Sequence, residues 1–99
     1  MLNITKNTEN GALVIAAEGR LDTTTAPQLE EELRKSLDGV ASLIFDLEKL
    51  EYISSAGLRV LLSAQKRMNG QGGMKIVRPG EIVREIFDVT GFSDILTIE

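Results

Sequence analysis

Ser54 and Ser55 stand where an apolar run ends and an amphipathic pattern begins, inside the stretch Asp46-Leu47-Glu48-Lys49-Leu50-Glu51-Tyr52-Ile53-Ser54-Ser55-Ala56-Gly57-Leu58. Before it, Leu43, Ile44 and Phe45 read as a short buried strand that stops at Asp46. After it, Leu58, Leu61, Leu62, Gln65 and Met68 recur at helical spacing, flanked by Ala56, Val60 and Ala64, while Arg59, Ser63, Lys66 and Arg67 fall on the polar side. One of the two serines therefore occupies a helix N-cap, where a hydroxyl accepts a bond from an otherwise unpaired amide of the first turn. The same free amides and the positive end of the helix dipole favour an anion, including a phosphate carried on a serine. Phosphorylation brings about 1.5 to 2 negative charges at pH 7 and three acceptor oxygens, and a helix start tolerates that charge. A plain cap and a modifiable hydroxyl are both open readings of these residues.

Other chemistry is thinly supplied. With no cysteine and no histidine, the chain has no disulfides, no thiolate or imidazole metal ligands, no Cys-His pair and no Ser-His triad. No Gly-x-Ser-x-Gly element surrounds Ser55. Gly70-Gln71-Gly72-Gly73 ends a helix and is not followed by Gly-Lys-Ser/Thr, so it reads as a connection and not as a phosphate loop. Asp46, Glu48 and Glu51 read as surface charges. Gly57, in the first helical turn, suits close packing or the approach of a partner. The expectation is a binding protein without catalytic residues, metal or cofactor.

The chain has 99 residues, long enough for one small domain spanning residues 1–99. Its 42% hydrophobic and 26% charged residues fit a globular core, and 4% aromatic residues make that core aliphatic. A net charge of −4, from 11 basic and 15 acidic residues, argues against a nucleic-acid partner, which needs concentrated positive charge. The start Met1-Leu2-Asn3-Ile4-Thr5-Lys6 carries no secretion leader, and no apolar run approaches the roughly 18 residues of a membrane span. A cytoplasmic protein without membrane insertion is expected. Arg59, Lys66 and Arg67 form a modest basic strip, either a solvated face or part of a partner surface.

The elements that must position the serines follow from periodicity. Leu2 and Ile4 alternate as in a half-buried strand, Asn10-Gly11 is a turn signal, and Ala12 to Ala17 forms a second strand ending at Gly19. The two pair as a hairpin, with a loop from Asn7 that looks longer than two residues. A threonine cap among Thr23-Thr24-Thr25 with Pro27 in the first turn opens a helix whose stripe is Leu29, Leu33, Leu37 and Val40, with Gly39 as its stop. Asp22, ahead of it, is a loop acid able to bond the threonine turn. Strand Ser42–Leu47, the helix from Ser55 or Ala56 to about Asn69, and strand Met74–Val77 make a parallel crossover unit. That topology brings the loops at Asp22 and Ser54-Ser55 to one edge. After the turn Arg78-Pro79-Gly80, Ile82, Val83, Ile86 and Phe87 give a third helix, Gly91 a stop with Phe92 folding back, and Ile95 to Ile98 a last edge strand.

Asp46-Leu47 with Leu50, Ile53 and Ser54-Ser55-Ala56-Gly57-Leu58 resembles the signature of the STAS domain family, the anti-sigma factor antagonists of bacterial partner-switching systems. Gly19-Arg20-Leu21-Asp22 and Thr90-Gly91-Phe92 are similar to further elements of that family, so the resemblance spans essentially the whole chain. It implies an α/β fold, a central, mostly parallel mixed sheet of four to five strands with helices packed against it. It also implies that the unphosphorylated protein binds an anti-sigma serine kinase, that phosphorylation on the second serine, Ser55, ends the complex, and that a serine phosphatase restores it. Ser54 stands where many members have aspartate and is the second choice of acceptor. The implied partner surface comprises Asp22, Thr23, Thr24, Ser54, Ser55, Ala56, Gly57 and Arg59. Two other uses of such a domain stay open: a phosphorylation-independent adaptor subunit of a membrane transporter, and a small-ligand or nucleotide sensor.

Overall fold

The hairpin that opens the chain is tighter than expected. The computed structural model describes residues 2–99, and its first strand, β1 (Leu2–Glu9), runs straight through Lys6 to Glu9 before a two-residue turn leads into β2 (Ala12–Leu21). Asn10 and Gly11 both take positive φ, 51° and 81°, the geometry of a hairpin turn matched to strand twist. The antiparallel ladder runs from Leu2 opposite Gly19 to Glu9 opposite Ala12. Lys6 to Glu9 carry no apolar alternation because β1 is an edge strand exposed there on both faces. Their polarity concealed the pairing.

β2 is the spine of the sheet and continues past Gly19 to Leu21. Its first half pairs in parallel with β3 (Leu43–Asp46), from Leu13 opposite Leu43 to Ala16 opposite Asp46. Its second half pairs in parallel with β4 (Leu50–Ile53), a strand that the hydrophobic periodicity does not predict. β3 and β4 thus follow one another along the same side of β2, and the β4 pairing itself shifts register between Gly19 and Arg20. β5 (Met74–Val77) lies beyond β3, again parallel, and completes a five-stranded mixed sheet. The expected last edge strand shrinks to a single parallel bridge between Ile76 and Ile98. A short 3-10 turn, Phe92–Asp94, uses up the residues before it.

Helices α1 (Ala26–Ser36), α2 (Ser55–Asn69) and α3 (Glu81–Thr90) supply the other half of the core. Ile15, Ala17 and Leu21 of β2, Leu43 and Phe45 of β3, and Leu50 and Ile53 of β4 point into one cluster with Leu29 and Leu33 of α1, Leu58, Leu61 and Met68 of α2, and Val83 and Phe87 of α3. Each large aliphatic side chain so buried contributes about 1.5–3 kcal/mol. Leu37, expected on the stripe of α1, is buried just beyond the helix as its C-cap, and Val40 follows a turn at Gly39, whose φ is +76°. Gly91 ends α3 in the left-handed conformation and Phe92 folds back on the core.

The loop between β2 and α1 is held by Asp22 and not by the expected threonine cap. Thr25 stands at the N-cap, yet its hydroxyl donates to the Arg20 carbonyl at 2.8 Å and accepts from the Asp22 N–H at 2.9 Å. The Asp22 carboxylate accepts from the Thr24 hydroxyl at 2.7 Å, the Thr24 N–H at 3.0 Å and the Thr25 N–H at 3.2 Å, an Asx turn. The Ala26 N–H donates to the Asp22 carbonyl at 2.7 Å. The bond from the Thr24 hydroxyl is the main reason that the Asp22 carboxyl lies below the usual carboxylate range.

Two predictions follow from these contacts. A Cβ on Gly57 would stand 2.7 Å from Leu21 Cγ and 2.8 Å from Ile53 Cγ1, both on fully buried side chains. Gly57→Ala therefore costs stability in urea unfolding, because overpacking of about 1–3 kcal/mol exceeds the roughly 1 kcal/mol by which alanine favours a helix; a stabilised variant would contradict the packing. For Asp22, a lowered folded pKa means that its contribution is present above the ordinary carboxylate pKa and is lost as pH falls through the folded value. Asp22→Asn should therefore be less stable than the native protein at neutral pH, with the gap closing below about pH 4. A gap that stays constant in unfolding series from pH 7 to pH 2 would exclude the ionic contribution.

Candidate functional site

The serine pair divides into two roles at the start of α2. Ser54 is the N-cap, extended at φ −96° and ψ 176°, and its Oγ accepts from the Gly57 N–H at 3.4 Å. Its backbone N–H donates to the Leu21 carbonyl at 2.8 Å, and its carbonyl accepts from the Leu58 N–H at 2.9 Å. Ser55 is the first residue of the helix, exposed, and its hydroxyl has no hydrogen-bond partner among the described residues. A hydroxyl bonded within the helix start and an exposed one without a partner among the described residues are thus adjacent.

The bond between Ser54 and Leu21 extends the pairing of β2 with β4 and sets the Asp22 loop beside the start of α2. A groove of about 330 Å³ runs between α1 and α2 there, lined by Thr23, Pro27 and Glu30 on one side and Ala56, Arg59 and Ser63 on the other. Thr23, Thr24, Ser55 and Arg59 are exposed, and Asp22, Ser54 and Ala56 are half-buried. Gly57 is buried against Leu21 and Ile53, so its place is in the packing beneath this surface. Arg59 has no ion-pair partner among the described residues.

Two residues that the sequence reading passed over join this surface from the sheet. Arg20 and Tyr52 are paired across β2 and β4, and the Arg20 guanidinium lies 4.5 Å from the centroid of the Tyr52 ring. Arg20 Nε also lies 3.9 Å from Asp22 Oδ2, which ties the stacked pair to the Asx turn. Only recognition of β4 could have revealed this neighbour. Its signal is a single run, Leu50-Glu51-Tyr52-Ile53, in which Leu50 and Ile53 are buried and Glu51 is exposed.

The nearby acids have structural occupations. Asp46 Oδ1 accepts from the Glu48 N–H at 3.1 Å, and its carboxylate pairs with the Arg78 guanidinium, raising the Arg78 pKa. Glu48 Oε1 is 3.9 Å from Arg78 Nε. Among the described residues no group of three or more His, Cys, Asp or Glu is placed to hold a metal ion, and no helix is long and apolar enough to cross a membrane.

Comparison with known proteins agrees with this fold. The anti-sigma-B factor antagonist of Bacillus subtilis is 35% identical over 94 residues, which cover 94% of this chain and 85% of that protein. An anti-sigma factor antagonist from Mycobacterium paratuberculosis shares the fold, with a TM-score of 0.91 and 24% identity over 99% of this chain and 85% of that one. The anti-sigma factor antagonist SpoIIAA in its unphosphorylated form also shares it, at TM-score 0.82 and 19% identity over 98% of this chain and 88% of that one. The structure of the Bacillus SpoIIAA is known in a phosphorylated form as well. The STAS domain profile matches residues 3–99, and with that match, the five-stranded mixed sheet and the serine-capped α2 in place, the chain belongs to the STAS domain family.

Proposed function

We propose that this protein is an anti-sigma factor antagonist of a partner-switching system, a cytoplasmic binding protein and not an enzyme. Its unphosphorylated form binds an anti-sigma serine kinase and so releases the sigma factor; phosphorylation of Ser55 ends the complex, and a serine phosphatase resets it. The observation that carries this reading is the division of labour at α2, with Ser54 engaged as the cap and Ser55 exposed with a free hydroxyl. Relatives at 28% and 35% identity are anti-sigma-B factor antagonists, and SpoIIAA occurs in unphosphorylated and phosphorylated forms.

The physical basis of the switch is charge in a docked surface. In the free protein a phosphate on Ser55 faces the positive end of α2 and costs the fold little. Against a partner, the same dianion must shed water and meet whatever acidic groups line the kinase, at a cost of a few kcal/mol. The surface that docks is the Asp22 loop, Ser55, Ala56 and Arg59, which the pairing of β2 with β4 holds together.

Incubation with ATP and the anti-sigma kinases of the same organism, followed by peptide-mapped mass spectrometry, is expected to place one phosphate on the peptide containing Ser55. Ser55→Ala abolishes it. Ser54→Ala remains a substrate and loses about 1 kcal/mol of stability, the usual cost of a deleted cap. A phosphate retained by Ser55→Ala and lost in Ser54→Ala would reverse the assignment, and no phosphate with any kinase would remove the switch.

A further inference from the structure

Among the described residues three large apolar side chains stand out in solvent, and two share one helix: Ile82 is 60% and Val89 77% exposed. The third, Ile95, is 50% exposed and follows the 3-10 turn that packs against α3. At about 100° per residue, positions 82, 86 and 89 fall on one stripe of a helix. Ile82, half-buried Ile86 and Val89 therefore form a continuous ridge along α3, beside the inward-facing Val83 and Phe87. The core uses only part of the apolar arc of this helix. Exposed apolar side chains scattered singly need no explanation, whereas a contiguous stripe marks an interaction surface.

The charges around the ridge select the occupant. Glu81 and Glu85 lie along its outer margin by the same helical count, and neither has an ion-pair partner among the described residues. A second copy packed ridge to ridge would set these carboxylates against their own counterparts, and an anionic bilayer would be repelled by them and by the net charge of −4. We propose that α3 is a second docking surface, which takes an amphipathic helix presenting an apolar stripe with a lysine- or arginine-rich margin. No residue of α3 lines the groove beside Ser55, so this partner is read by a different surface from the one that carries the proposed switch.

The test uses two synthetic helical peptides with the same leucine stripe, one flanked by lysines and one by glutamates, titrated into the isotope-labelled protein and followed by NMR. The lysine peptide is expected to shift the amides of Ile82, Ile86 and Val89 and to leave those of Ser54 to Arg59 unmoved. Its Kd should rise about tenfold in the double variant Ile82→Gln, Val89→Gln, and severalfold in Glu81→Gln, Glu85→Gln or on added salt. Both variants change exposed positions, and circular dichroism checks that each stays folded. Equal binding of the glutamate peptide, shifts spread over the whole acidic surface, or a Kd indifferent to Ile82→Gln, Val89→Gln would overturn the proposal. So would shifts of α3 that depend on protein concentration without peptide, which would make a second copy the occupant.

Discussion

The 2.8 Å hydrogen bond from the Ser54 N–H to the Leu21 carbonyl is the contact on which the site depends. It is the last rung of the pairing between β2 and β4, and it joins two segments 33 positions apart in the chain at the point where each turns into a helix. One side of the rung leads into the Asp22 turn and α1, the other into the cap of α2. Gly57 is the steric counterpart of that bond. With hydrogen in place of a methyl group, the first turn of α2 settles onto Leu21 and Ile53 closely enough for the rung to form. Backbone pairing, and not a side-chain contact across the groove, therefore fixes how Thr23, Ser55 and Arg59 are set relative to one another.

Much of this was legible in the residues. The helical stripe from Leu58 to Met68, the break at Gly70 to Gly73 and the return at Met74 gave the parallel crossover, and with it the meeting of two loops at one edge of the sheet. What escaped was pairing that leaves little trace in hydrophobic pattern. Lys6 to Glu9 are polar because an edge strand needs only backbone bonds, and β4 is too short, at four residues, to show a period. The missed β4 also hid the stacking of Arg20 on Tyr52. In the same way, Thr25 stands at the N-cap without a side-chain cap bond, and Asp22, three positions earlier, holds the turn ahead of the helix with its charged acceptor.

The sequence pattern placed a serine at the helix start without deciding which of Ser54 and Ser55 is the cap; in the structure Ser54 is the N-cap and Ser55 the first helical residue. An N-cap hydroxyl is turned inward to accept an amide, and modifying it would remove the cap that holds the helix start. The next residue already has helical backbone, and its side chain leaves the turn toward solvent. A pair of serines at this point supplies a bonded cap and an exposed hydroxyl within one turn. On the proposed reading, stability and switching fall to different side chains, so the charge on one can change while the other keeps the fold.

The most direct measurement is a calorimetric titration of the anti-sigma kinase with the unmodified protein and with the protein carrying one phosphate on Ser55, at equal salt and nucleotide. A surface that docks around Ser55 predicts at least about a hundredfold weaker binding of the phosphorylated form, about 2.7 kcal/mol, with far-ultraviolet circular dichroism unchanged. Equal affinity of the two forms would contradict the switch, and a loss of helix on phosphorylation would contradict the claim that the start of α2 carries the charge without unfolding.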